Sequence, residues 1–137
     1  RYVLESADKE LVSIEEELDF LKSYIFLQEI RFGQKLKINV FIHNKKGLIA
    51  PLALQMLIEN AIKHNVIAEN APLLVEVYEE EKYWTVKNKI NIKSNLEESI
   101  GKGLKNIQER YSFVSDLPVT IKNENGYFIV SIPILQS

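Results

Sequence analysis

A chain of 137 residues, 46% hydrophobic and 26% charged, can form one globular domain with a real core but not two ordinary ones. Its 17 basic and 19 acidic side chains leave a formal net charge of −2, which excludes the electrostatic footprint of a general nucleic-acid binder. The absence of cysteine excludes a disulfide scaffold, a thiolate zinc site and a cysteine nucleophile, and suits a reducing compartment.

No apolar run reaches the ~18 residues needed to cross a bilayer. The first residue is Arg1, not Met, which reads as a start inside a longer protein and leaves room for a membrane segment upstream. Residues 1–33 read as helical, with Arg1–Ala7 as the tail of an earlier helix. Ser13 followed by Glu16 has capping-box spacing, in which hydroxyl and carboxylate each satisfy an orphan N–H of the first turn. Ile14, Leu18, Leu21, Ile25 and Phe32 recur at helical intervals, Tyr24 and Leu27 widen the apolar surface, and Gly33 supplies the stop.

From Lys37 the period changes to two: Ile38, Val40 and Ile42 share one face, and Asn39, Phe41 and His43 share the other. Asn44–Gly47 reads as a turn, and Pro51 opens a helix running to about Asn65. Strands are expected near Leu73–Glu79 and Tyr83–Asn88, joined by the turn Glu80–Lys82. Residues 89–102 show no period, which suggests a functional or mobile stretch. A helix resumes near Gly103 and runs to Val114. Val119–Lys122 and Tyr127–Ile134 then form a hairpin turned by Asn125-Gly126. This order predicts an α+β fold, a two-layer α/β sandwich with a leading N-terminal helix, rather than a doubly wound nucleotide fold.

Two stretches could carry chemistry. On the helix from Pro51, the polar residues Asn60, Lys63 and His64 project from one face, opposite Leu54, Leu57, Ile58, Ala61 and Ile62. That face is either a phosphate-and-metal face or a solvated one with Glu59 and Lys63 as an i, i+4 pair. An Asn oxygen can ligate Mg²⁺ and a Lys ammonium can meet phosphate oxygens. Ser99-Ile-Gly101-Lys102-Gly103-Leu104 leads into a helix start, where close backbone approach and N–H groups favour an anion, reinforced by Lys102 and Lys105. The alternative there is a flexible loop. It is not a Walker loop, because the G-x-x-x-x-G-K-[ST] spacing is absent. His43 reads as an ordinary strand histidine. Asn88, closing a strand, either just ends it or reads the edge of a base.

Together these stretches resemble the ATP-binding domain of GHKL-type histidine kinases, most closely the LytS-like sensor kinases. Pro51-Leu-Ala-Leu-Gln-Met-Leu-Ile-Glu59-Asn60-Ala-Ile-Lys63-His64-Asn65 is similar to their N box. Ile100-Gly-Lys-Gly-Leu-Lys-Asn-Ile-Gln-Glu-Arg110-Tyr111 is similar to their second glycine box. Phe20-Leu-Lys-Ser-Tyr24 with Leu27-Gln28-Glu-Ile-Arg31-Phe32 resembles the helix before that domain.

The resemblance implies a Bergerat fold at 34–137, preceded at 1–33 by the end of the dimerisation and phosphoacceptor region. It implies that Asn60 holds Mg²⁺, that Glu59 sits beside the metal, and that Lys63 and His64 approach the ATP phosphates. Gly101, Gly103 and Leu104 would shape a lid and the phosphate-facing helix. It also implies transfer of the γ-phosphate to a histidine upstream, a homodimeric parent, a cognate response regulator, and a cytoplasmic domain on a membrane-bound parent.

Two departures stand out. Asn88 occupies the position of the family's adenine-reading Asp, within Val86-Lys87-Asn88-Lys89-Ile90-Asn91, which lacks both glycines of D-x-G-x-G. A neutral Asn acceptor should bind the adenine amine more weakly. Met56 stands where ATP-hydrolysing relatives carry an acid that activates water, which a kinase with an imidazole nucleophile does not need. A degenerate, non-catalytic GHKL interaction domain and a GHKL serine kinase of a partner protein are the alternatives.

Overall fold

Ser13 starts the first long helix. The structure, a computed structural model, describes residues 11–91 and 101–136, with only the backbone of Lys102. The helix tail read at Arg1–Ala7 and the lid stretch containing Ser99 and Ile100 lie outside the described residues. Ser13 Oγ accepts the Glu16 N–H at 3.1 Å, and Glu15, Glu16 and Glu17 place negative charge in the first turn of α1 (Ile14–Phe32), where the helix dipole favours it. Gly33, at φ 60°, closes α1 by donating its N–H to Glu29 O.

The expectation of continuous helix before Ile14 fails in the described part. An N-cap needs extended backbone, and Ser13 has φ −72° and ψ 148°. Val12–Ser13 (β1) instead pairs antiparallel with Leu48–Ile49 (β3), a two-strand ladder that the sequence reading lacks.

The main sheet contains β2 (Leu36–Phe41), β4 (Leu73–Glu80), β5 (Tyr83–Lys89), β6 (Thr120–Glu124) and β7 (Tyr127–Pro133). Their order is β2-β4-β5-β7-β6, with β2 parallel to β4 and every other pair antiparallel. The parallel pair requires a crossover, which α2 (Ala53–His64) provides. α3 (Lys102–Val114) packs beside α2. Alternation along the strands sends Leu36, Ile38, Leu73, Val75, Val77, Trp84, Val86, Phe128, Val130 and Ile132 into one core with Leu54, Leu57, Ile58, Leu104, Ile107 and Tyr111. The α+β two-layer expectation holds, with a mixed sheet.

Three local features differ from or refine the sequence reading. His43 is not on the strand: the ladder stops at Phe41 because the His43 and Asn44 N–H groups both donate to Glu79 Oε1 at 3.0 Å. Helix α2 starts at Ala53 rather than Pro51, since Leu52 adopts a left-handed φ of 63°. For a leucine this conformation costs about 1–2 kcal/mol. The Asn125-Gly126 turn has φ values of 53° and 82°, both positive as a type I′ hairpin requires. Helix α1 covers the β2 edge, where Glu29 Oε2 accepts the Ile38 N–H at 3.1 Å. Among the described residues no helix is long and apolar enough to cross a membrane.

Candidate functional site

Helices α2 and α3 run in opposite directions. The start of α3 lies by the middle of α2, where a β-carbon on Gly103 would sit 3.8 Å from Met56 Cε. The last turn of α3 lies by the start of α2: Arg110 Nη1 donates to Pro51 O at 3.4 Å, and Tyr111 Oη accepts the Ala50 N–H at 3.1 Å. Between the last turns of α2 and the start of α3 opens a cavity of about 350 Å³, within the range of small-molecule sites. Helix α2 lines it with Met56, Glu59, Asn60, Lys63 and His64, and the other wall is Gly101, Gly103, Leu104 and Ile107.

The 3.6-residue repeat explains this arrangement. Leu54, Leu57, Ile58, Ala61 and Ile62 are buried, which turns Glu59 and Lys63 outward and leaves Asn60 and His64 half-buried at the boundary. Gln55 Nε2 donates to Glu59 Oε1 at 3.0 Å and orients that carboxylate. Tyr24 on α1 is also within electrostatic reach of Glu59. Its phenol pKa is pushed up to about 12, first by burial and then by the Glu59 charge, with Arg31 opposing. Across the cavity, Gly101 caps α3 with no side-chain bond, and first-turn N–H groups have no acceptor within their own helix. One wall thus offers an amide, a carboxylate and an ammonium, and the other a helix start, which favours anions.

Of the residues singled out from sequence, Glu59, Asn60, Lys63, His64, Gly101, Gly103 and Leu104 meet at this cavity. Lys105 is exposed on α3 and does not line it. The side chain of Lys102 lies outside the description. Asn88 also does not line the cavity: it is buried on the helix-facing side of β5 at 3% exposure, with Nδ2 donating to Lys89 O at 3.0 Å.

Sequence reading missed Glu17. It is 1% exposed, and its two oxygens accept the N–H groups of Leu52 (3.0 Å) and Leu54 (3.2 Å) at the start of α2. The available signal was its place in the helical repeat, with Ile14, Leu18 and Leu21 on the buried side of α1. Tyr111, 1% exposed, packs into the same region. Burial raises its phenol pKa strongly, the Ala50 N–H lowers it, and the Glu17 charge raises it further while Arg110 opposes.

Comparison with known proteins bears on this geometry. The family profile described as histidine kinase matches residues 1–36. Over 131 residues the chain is 29% identical to the sensor protein LytS of Bacillus cereus, covering 94% of this chain and 21% of that protein. The sensor histidine kinase YesM of Bacillus subtilis is 30% identical over 142 residues, covering 91% of this chain and 24% of that protein. This chain is a relative of the LytS-type sensor histidine kinases.

It spans about one-fifth of the length of that LytS protein. The solved structures agree on the fold. The cytoplasmic segment of histidine kinase QseC superposes with a TM-score of 0.63 at 16% identity, covering 93% of this chain and 78% of that one. The catalytic domain of histidine kinase ThkA does so with a TM-score of 0.60 at 15% identity, covering 93% and 97%. The fold is therefore that of a histidine kinase catalytic domain.

Proposed function

We propose that this chain is the ATP-binding catalytic part of a sensor histidine kinase, holding Mg²⁺–ATP between α2 and α3. The observation that carries the reading is the convergence of Glu59, Asn60, Lys63 and His64 with Gly101, Gly103 and Leu104 on one cavity. The donor set suits Mg²⁺, which takes few protein oxygens and keeps water and phosphate oxygens: Asn60 would supply its amide oxygen, with Glu59 beside the metal's waters. When bound, the ion neutralises phosphate charge.

Phosphoryl transfer asks mainly for positioning and charge stabilisation. Lys63 and His64 lie on the phosphate side, and the N–H groups at Gly103 and Leu104 point a helix start at the same charge. Lys105, exposed on the first turn of α3, would add positive potential there, and a role for Lys102 rests on its position in the sequence alone. Asn88 Oδ1 would accept from the adenine amine. Met56 supplies no base for water, which suits transfer to an imidazole. The acceptor we assign is a histidine elsewhere in the kinase, and the partners we assign to the whole protein are a second copy and a response regulator. The domain boundary at residues 33/34 and a cytoplasmic placement on a membrane-bound parent belong to the same proposal.

Calorimetric titration with Mg²⁺–ATP tests this. Binding that disappears in Asn60→Ala supports it. No binding at millimolar nucleotide overturns it in favour of the non-catalytic interaction domain, the reading that the neutral Asn88 favours.

A further inference from the structure

Helix α2 carries no cap of its own. Leu52 stands at its N-cap position in a left-handed conformation with no side-chain bond to the first turn. The cap comes from α1 instead, 35 residues back in sequence, where the Glu17 carboxylate takes one N–H on each oxygen, from Leu52 and Leu54. A buried carboxylate with both oxygens occupied at a helix N-terminus is a directional, charge-assisted contact. It fixes both where α2 begins and its rotation about its axis.

The same short segment is held from the other side by α3. Ala50 donates to Tyr111 Oη and Pro51 accepts from Arg110 Nη1. The two helices that wall the cavity are thus pinned together at the end away from it, and the third participant in the pin is α1. A small rotation of α2 at Leu52 would change where Asn60 faces Gly103, because a helix in a packed core turns as a unit rather than deforming residue by residue.

Resting on the ATP-binding reading, we propose that Glu17 is a positioning residue for the nucleotide site, setting the α2 start so that Asn60 and Lys63 face the α3 helix start, and making that geometry answer to the position of α1. Glu17 touches neither nucleotide nor metal. Its action runs through the Leu52 and Leu54 N–H groups. A carboxamide at this position presents one oxygen and one NH₂ to two N–H donors, so Glu17→Gln loses one bond and sets donor against donor.

The experiment compares the full chain with Glu17→Gln and with Ile121→Ala, a control on the distant edge strand β6, both characterised for stability by urea denaturation. Mg²⁺–ATP affinity is then measured by calorimetry, and amide exchange is followed across 56–64 and 101–107 without nucleotide. Support is a loss of affinity of about tenfold in Glu17→Gln, typical of groups that orient a ligand set from behind, with faster exchange at those residues and neither change in Ile121→Ala. Equal affinities in Glu17→Gln and Ile121→Ala overturn the positioning role while leaving the ATP reading intact. Absence of binding by the unsubstituted chain overturns the ATP reading, and this proposal with it. Where Glu17→Gln fails to fold, Glu17→Asp substitutes: it keeps the charge but reaches only one amide, and an affinity below that of both the unsubstituted chain and Ile121→Ala supports the proposal, whereas full affinity overturns it.

Discussion

The Asn65 side chain bridges the end of α2 to the chain leaving β5: its Nδ2 donates to Ala61 O at 2.8 Å and its Oδ1 accepts the Asn91 N–H at 2.9 Å. The residue is 6% exposed, so both bonds are made away from water. It closes the last turn of the helix bearing Asn60 and fixes the point from which the chain departs toward residues 92–100.

Asn65→Ala leaves the Ala61 carbonyl and the Asn91 N–H without this partner and is expected to destabilise the fold by about 2 kcal/mol. Urea unfolding should show a lower midpoint at an unchanged slope, the mark of lost stability without a changed unfolded state.

Lys63 is exposed on the cavity wall and is assigned to phosphate alone. Lys63→Ala should weaken ATP binding about tenfold, the scale of one charge-assisted bond, and flatten its salt dependence. Adenosine affinity should stay unchanged. A parallel loss for adenosine would mean that the substitution has disturbed the base end as well.

The tyrosines set an alkaline limit. Tyr24 ionises near 10 in its unperturbed form and at about 12 when folded, through burial and then the Glu59 charge, and Tyr78 and Tyr111 shift the same way. Between those values the unfolded phenol has given up its proton while the folded one keeps it. The unfolded state therefore binds fewer protons, and stability falls with rising pH. It should be complete below pH 10 and decline from 10 toward 12. Melting temperatures across that window should fall less steeply in Tyr24→Phe and Tyr111→Phe.

Gly47 has φ +120°, and an added β-carbon would lie 2.9 Å from Ile134 Cγ2 and 3.3 Å from Leu135 O. Gly47→Ala is expected to cost about 2–3 kcal/mol from backbone strain and overpacking together. Chemical denaturation of the variant measures it directly.

The elements that sequence reading found are those specified locally. Helix α2 announces itself by its repeat, α1 by Ser13 and Gly33, and the last hairpin by Asn125-Gly126, each within a few residues. The β1–β3 pair was illegible because two-residue strands have no period, and their pairing joins residues far apart in sequence. Glu17 hid among three consecutive glutamates, its acceptors being satisfied by amides 35 and 37 positions later. The grouping of Asn60, Lys63 and His64 was visible from spacing on one helix, and Glu59 joined it only through the family resemblance. That Gly103 would face Met56 was not, because it depends on how two helices cross.

Trp84, the chain's one tryptophan, is fully buried, and its ring edge packs beneath Gly47. It stands four positions before Asn88 on β5, about 13 Å away at the rise of an extended strand. Its fluorescence should therefore be a native optical gauge of the sheet's integrity, largely silent when a ligand enters between the helices. Spectra taken during a titration would then separate occupancy from unfolding without any added dye.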